Sequence, residues 1–299
     1  MSWQAFQLTF RLESPLHSGH GKMGNIQRTR LYVTGRMLWG ALTSTITRLK
    51  ESSDYVKVGE MVKEYLRTSY LFPCLDQKGE QLILPRVRDN RASYLVKGKD
   101  VNASVVERWI VTSYASTAID TTRRAAEEVS LHEIELISHR FLCDSCENGI
   151  QINAGDPVYL SGVLFLADNA PDEIKNFWKP ALNHLQVGGE RSYGFGLLTL
   201  TDEPRPADSL FGYALTLSAH DPEITVNSGN PLPAHVIVED ELNLQGVTEP
   251  FLGRETQSDG QFGKKLSRAE LCWIPGALTR QSRTFCVKEK SLWQIKSEK

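Results

Sequence analysis

Phe6, Leu8, Phe10 and Leu12 alternate with polar residues in QAFQLTFRLES, the period-two pattern of a half-buried strand. SPLHSGHGKMGN follows, rich in Gly and Ser, and reads as a loop. In GRMLWGALTSTITRLK the apolar residues Leu38, Leu42, Ile46 and Leu49 fall on one helical stripe. Residues 56–67 are helical in pattern, and 81–99 read as short strands with charged turns. Residues 118–141 begin polar and become strand-like late. VYLSGVLFLA (158–167) is apolar apart from Ser161 and reads as a buried strand. Pro171, Asp172 and Glu173 mark a helix start, with proline and acids in the first turn. That helix is expected to run to about Leu185 with a kink at Pro180. A glycine loop and a strand over 195–200 close the segment.

TDEPRPADS (201–209) reads as a linker. The remaining residues alternate strands, such as YALTLSA and HVIVED, with Gly/Pro turns and few helical patterns. The pattern predicts an α+β protein of two halves, residues 1–200 and 201–299. Strands crossed by few helices suit two tandem ferredoxin-like units of β-α-β-β-α-β order, the second divergent.

A chain of 299 residues that is 40% apolar can bury a real core, which excludes wholesale disorder. The first residues lack the basic start and apolar centre of a signal peptide, and no run of about 18 apolar residues exists. A cytoplasmic location is expected. The five cysteines are odd in number and irregularly spaced, unlike a secreted disulfide framework. Cys143 and Cys146 form one CxxC, but a structural zinc site needs a second ligand pair. His139 and Cys74 have no convincing spacing for it, so ordinary thiols are expected, with no metal or cofactor.

The net charge of −2 points to no partner, but its distribution is uneven. Lys22, Arg28, Arg30, Arg36, Arg48 and Lys50 lie in a window, residues 14–50, without a single Asp or Glu. About four acids would be expected there at this chain's acid frequency. Such a surface suits an anionic ligand.

In LQVGGERSYGFGLLTL, Gly188, Gly189, Gly194 and Gly196 bracket Arg191, Ser192 and Tyr193. Nucleotide-binding glycine loops follow a strand and open a helix. Here the order is helix, loop, strand, and no GKS or GKT is present, so those readings fail on context. Bare backbone, a forked arginine donor and aromatic faces suit single-stranded nucleic acid. A strained turn needing positive φ would use the same glycines.

GGERSYGFG resembles the glycine-rich signature of the CRISPR-associated RAMP superfamily. Three other segments resemble the same family in the same order. SPLHSGHGKMG is similar to its first loop, and YVTGRMLWGAL to the segment opening its first helix, although Pro and a Ser pair are replaced. AIDTTRRAAEEVSLHEIEL is similar to a segment that contains or flanks an RNA-touching hairpin. The resemblance covers about residues 5–200. Beyond it, GRETQSDGQFG (253–263) and WIPG (273–276) look faintly like a second RAMP-type half.

The resemblance implies an RRM-like fold and a subunit of a type III effector complex. Backbone subunits of that group cut target RNA with an aspartate in the first loop, whereas residues 17–34 here hold no acid. The chain looks more like the group that clasps the crRNA 5′ tag beside the large polymerase-nuclease subunit, including the type III-D version. The implied role is binding, without catalysis. Lys22, Arg28, Arg30 and Arg36 would contact phosphates, and Gly188, Gly189, Gly194 and Gly196 would admit the RNA backbone. Arg191 would pair with a phosphate, Ser192 would sit beside it, and Tyr193 would stack on a base. Arg123 and Arg124 would sit on the hairpin. The implied partners are crRNA, the other effector subunits and, indirectly, target RNA. Two alternatives stay open. One is a metal-independent processing endoribonuclease using His17 or His20, histidine being suited to both acid and base roles. The other is an α+β protein-interaction module unrelated to CRISPR. Trp39, Trp109 and Trp178 could dock neighbours or pack in the core.

Overall fold

The computed structural model describes residues 2–88, 91–240, 242, 244–255 and 265–296. The opening strand β1 (Trp3–Leu12) leads through a hairpin, β2 (Gly19–Met23) and β3 (Ile26–Thr29), into helix α1 (Gly35–Leu49). Thr34 caps α1 by accepting from the Met37 amide. Helix α2 (Tyr55–Tyr65) follows, capped by Asp54. The segment expected to be a plain loop after β1 is therefore a two-stranded ladder. Every residue of β2 is exposed, so no apolar alternation marks it.

The first sheet runs Leu198–Leu200, β1, Tyr159–Ala167, Leu66–Thr68 in lateral order, and every pairing in it is antiparallel. With α1 between the first two of these strands in sequence and the helices of residues 172–182 between the last two, this is the split β-α-β-β-α-β order. Both faces of the sheet are buried. Leu8, Phe10 and Leu12 of β1 pack with Leu38, Leu42 and Ile46 of α1, Val58 and Val62 of α2, and Trp178. Trp3 and Ala5, pointing the other way, pack with Leu210, Ile224, Val236, Phe285 and Trp293 of the second half. Tyr159–Ala167 divides likewise, Leu160, Leu164 and Leu166 to the helices and Val163, Phe165 and Ala167 to the second half. That double burial explains why its residues are apolar on both faces, Ser161 apart.

The second half forms an eight-stranded, mostly antiparallel sheet. Among the described residues after 204 the only helical turn is Glu289–Ser291, so no second β-α-β-β-α-β order is found there. Residues 256–263 of the GRETQSDGQFG segment lie outside the described residues.

Several local expectations change. Residues 201–209 are not a free linker, because Arg205–Pro206 pairs with β1 at Gln7 and Phe6. The helix expected from Asp172 to Leu185 is two short helices, Asp172–Lys175 and Trp178–Leu182, broken at Asn176–Phe177 and not at Pro180. Pro180 lies in the first turn of the second helix, where a missing N–H costs nothing. Helix Ala103–Ile110 had no expectation attached to it. Trp109 and Trp178 are core residues, while Trp39 is half-buried with its indole N–H on the Gly59 carbonyl at 2.9 Å. Among the described residues, no helix is long and apolar enough to cross a membrane.

Candidate functional site

The glycine loop is zipped onto the first loop. The Gly189 amide donates to the His17 carbonyl at 2.9 Å, and the Gly196 amide to the Pro15 carbonyl at 2.8 Å. The Leu197 amide donates to the Ser14 hydroxyl at 3.0 Å. Gln186 holds the loop from within, donating to the carbonyls of Phe195 at 2.9 Å and Arg191 at 3.1 Å. The glycines serve this contact. A Cβ on Gly188 (φ +89°) would meet the His17 carbonyl oxygen at 2.5 Å, and one on Gly196 (φ +77°) the Val187 carbonyl oxygen at 1.8 Å. Gly189 faces the His17 ring. Only Gly194 (φ +83°) of the four has open space above it. The close approach that Gly188, Gly189 and Gly196 permit is thus made to the chain's own backbone and first loop.

Between these loops the chain turns up through a short 3-10 helix, Arg191–Tyr193, which exposes Arg191, Ser192 and Tyr193. Among the described residues the Arg191 guanidinium has no ion-pair partner. A cavity of about 720 Å³ opens beside the loop, lined by His17, Arg36, Trp39, Gly188, Arg191 and Glu255 among others. First loop, α1, glycine loop and residues 251–255 converge on it.

The basic residues of the first loop fare differently from one another. Arg30 is largely buried and donates to Glu249 at 2.6 Å and to the Gly19 carbonyl. Arg36 donates to Glu255 at 2.6 Å, and Lys290 reaches the same carboxylate while lying over the Trp39 ring. Arg28 pairs with Glu135 at 2.8 Å and stays half exposed. Lys22 is exposed on β2 and without an ion-pair partner among the described residues. Two of the acids, Glu249 and Glu255, come from the second half, which is why a window without acids gave no sign of them. Arg123 and Arg124 stand exposed at the tip of a hairpin, Ile119–Asp120 with Ala125–Ala126, where Arg123 lies 3.7 Å from Asp120.

Glu249 is the hub of a buried network. The fully buried His235 donates from Nε2 to Glu249 at 2.7 Å, so its Nδ1 accepts from the Tyr70 hydroxyl at 2.8 Å. Burial works against the Glu249 charge, but hydrogen bonds from His235 and Arg30 more than offset it and bring its pKa down to about 2. Burial, with Arg30 nearby, pushes His235 below its ordinary value. His20, 3.3 Å from Glu249, is lowered for the same two reasons. His17 is buried, its Nδ1 held 2.8 Å from the Glu135 carbonyl oxygen.

Cys143 is half-buried and Cys146 exposed, both free thiols. Among the described residues no group of three or more His, Cys, Asp or Glu side chains converges as a metal site.

The RAMP superfamily profile matches residues 9–199, nearly two thirds of the chain and most of the split β-α-β-β-α-β unit. The chain belongs to the RAMP superfamily. No curated protein matches it. Among solved structures, this RAMP protein is similar to a chain in a cryo-EM structure of the type III-B Cmr-beta bound to cognate target RNA and AMPPnP, with TM-score 0.55 and 10% identity, over 92% of this chain and 86% of that one. A second structure, of Cmr-beta bound to cognate target RNA, matches over the same shares with TM-score 0.52 and 11% identity. At such identity the likeness concerns the fold, and it extends through both halves of the RAMP protein.

Proposed function

We propose that this RAMP protein is a non-catalytic RNA-binding subunit of a type III CRISPR effector complex, one that holds the 5′ tag of the crRNA and caps the complex beside its large subunit. The observation that carries the reading is the glycine loop, which is fixed to the first loop, brings an unpaired Arg191 to the rim of a cavity and exposes Tyr193 in the same turn. A guanidinium fork suits a phosphate, and an exposed ring suits a base. The hairpin with Arg123 and Arg124 adds a second exposed cationic point. The similar chains belong to Cmr-beta structures bound to target RNA, in keeping with this role.

Binding is favoured over cleavage by the placement of the histidines. His17 is buried with its ring against the glycine loop, and His20 lies 3.3 Å from Glu249, so both rings are engaged in contacts within the chain. The absence of an acid from residues 17–34 argues likewise against slicing.

The test is incubation of the purified protein with end-labelled CRISPR repeat RNA from the same genome, in EDTA, resolved on native and denaturing gels. Binding at the tag end without cleavage supports the reading. Cleavage lost in His17→Ala or His20→Ala overturns it in favour of a processing endonuclease. Failure to bind any RNA overturns it for the isolated chain.

A further inference from the structure

A second sheet carries β2, β3, His132–Ile137 and Val111–Ser116 side by side. Its register puts Tyr114 opposite Ile134, Ile134 opposite Gln27, and Gln27 opposite Lys22. Directly paired residues share a face, so these four side chains form one row across one face of the sheet. Glu133 and Glu135 alternate with Ile134 and Leu136 along their strand and occupy the opposite face, where Glu135 binds Arg28. The sheet thereby separates its charges: its own carboxylates lie on one face, Lys22 and Tyr114 on the other.

The glycine loop docks onto the Tyr114 face. Phe195 packs there with Ile134 and Leu136 in a small apolar cluster separate from the two main cores. It anchors two further rings. Tyr193 lies 6.1 Å from Phe195 and 5.8 Å from Tyr114 between ring centroids, and Tyr114 meets Phe195 edge-on at 5.9 Å. Tyr114 and Tyr193 are 41% and 53% exposed, which is unusual for rings so firmly backed and leaves their surfaces open. Arg191 belongs to the same turn as Tyr193, and the strand holding Tyr114 runs on toward the Arg123–Arg124 hairpin.

We propose that Tyr114 and Tyr193 form a stacking platform for an unpaired base of single-stranded RNA, with Arg191 and Lys22 flanking it to hold the phosphates. The inference rests on the RNA-binding reading above and adds Tyr114, a residue no sequence motif indicated. Rigid backing by Phe195, Ile134 and Leu136 means little side-chain freedom is lost on binding. Lys22, without a carboxylate on its sheet face, and Arg191 in the loop docked there favour a polyanion over a protein surface of mixed charge. Stacking is indifferent to base identity, so the platform positions the strand without reading its sequence.

The experiment measures binding of a labelled single-stranded RNA of repeat sequence to the full chain. Wild type is compared with Tyr114→Ala, Tyr114→Phe and Arg191→Ala, on intact RNA and on a series with one abasic nucleotide moved along the strand. Tyr114→Ala is expected to weaken binding about 5- to 150-fold, the loss of one base–aromatic stack, while Tyr114→Phe stays within about twofold. At one abasic position the wild type should weaken to the level of Tyr114→Ala and the difference should vanish. If Arg191→Ala weakens binding but Tyr114→Ala does not, the platform is wrong and the RNA-binding reading stands. A Tyr114→Ala loss that no abasic position removes makes Tyr114 a structural residue and also overturns the platform. Absence of RNA binding by the wild type at low salt overturns both.

Discussion

Gly188 stands against His17 so closely that a Cβ on the glycine would lie 2.5 Å from the histidine's carbonyl oxygen. The glycine signature and the first-loop motif, some 170 positions apart, are two sides of one contact. Gly188 combines this crowding with φ +89°, a backbone conformation that costs an L side chain energy even in open space.

Gly188→Ala should therefore destabilise the fold by about 2–3 kcal/mol, strain and clash together. Gly194→Ala, at φ +83° with no atom within 4 Å, should cost only about 1 kcal/mol. Urea denaturation of the two variants checks this. Equal costs would mean the glycine loop is not clamped to the first loop as described.

Glu249 joins the second half to the first directly through Arg30 and, by way of His235, through Tyr70. Truncating one partner of a buried ion pair leaves the other charge uncompensated. Glu249→Ala should lose about 3 kcal/mol of stability, and Arg30→Ala a similar amount, with the double variant less than additive. A double-mutant cycle by urea denaturation measures the coupling, and strict additivity would count against the network.

The same network sets an acid limit. Glu249 titrates at about 2 in the folded chain against 4.5 ordinarily, so its contribution is full above 4.5 and is lost as pH falls toward 2. His235 is lowered from 6.5, so the unfolded chain takes up its proton first and stability also declines as pH falls below 6.5. The two effects share one sign. Unfolding midpoints in urea should be flat between about pH 7.5 and 8, decline through pH 6 and fall further below pH 4.5. His235→Gln should make the decline between about pH 7.5 and 5.5 shallower, leaving the share that His20 contributes. An unchanged slope in that variant would remove His235 from the account.

The cations also separate by partner. Arg191 and Lys22 are exposed and without an ion-pair partner among the described residues, whereas Arg30 and Arg36 are held by Glu249 and Glu255. Arg191→Ala and Lys22→Ala should each weaken RNA binding across all sequences and shrink the salt dependence by about one unit of slope, with the unfolding midpoint unchanged. Arg30→Ala should lower the midpoint. Filter binding across a salt series, with denaturation in parallel, distinguishes the two groups.

Much of the fold is written in local pattern. The alternation in β1, the stripe Leu38, Leu42, Ile46 in α1 and the apolar run ending at Ala167 each encode which faces are buried, because periodicity reflects burial directly. The family, too, was legible, since its motifs are the residues that zip one loop onto another. Where burial leaves no period the sequence was silent: β2 is exposed throughout and β3 is half-buried apart from Arg28, and they read as a loop. The roles of the arginines lay beyond local reading. Arg30 and Arg36 are neutralised by Glu249 and Glu255, more than 200 positions away, and Coulomb attraction acts through space without regard to chain separation. Tyr114 joins Tyr193 only because strand pairing and a glycine turn bring them onto one sheet face. Sequence by itself determined the main strands of the first sheet and the first helix, with their buried sides. The tertiary structure decided which charges remain free, and which rings stand together, because both depend on neighbours that folding alone supplies.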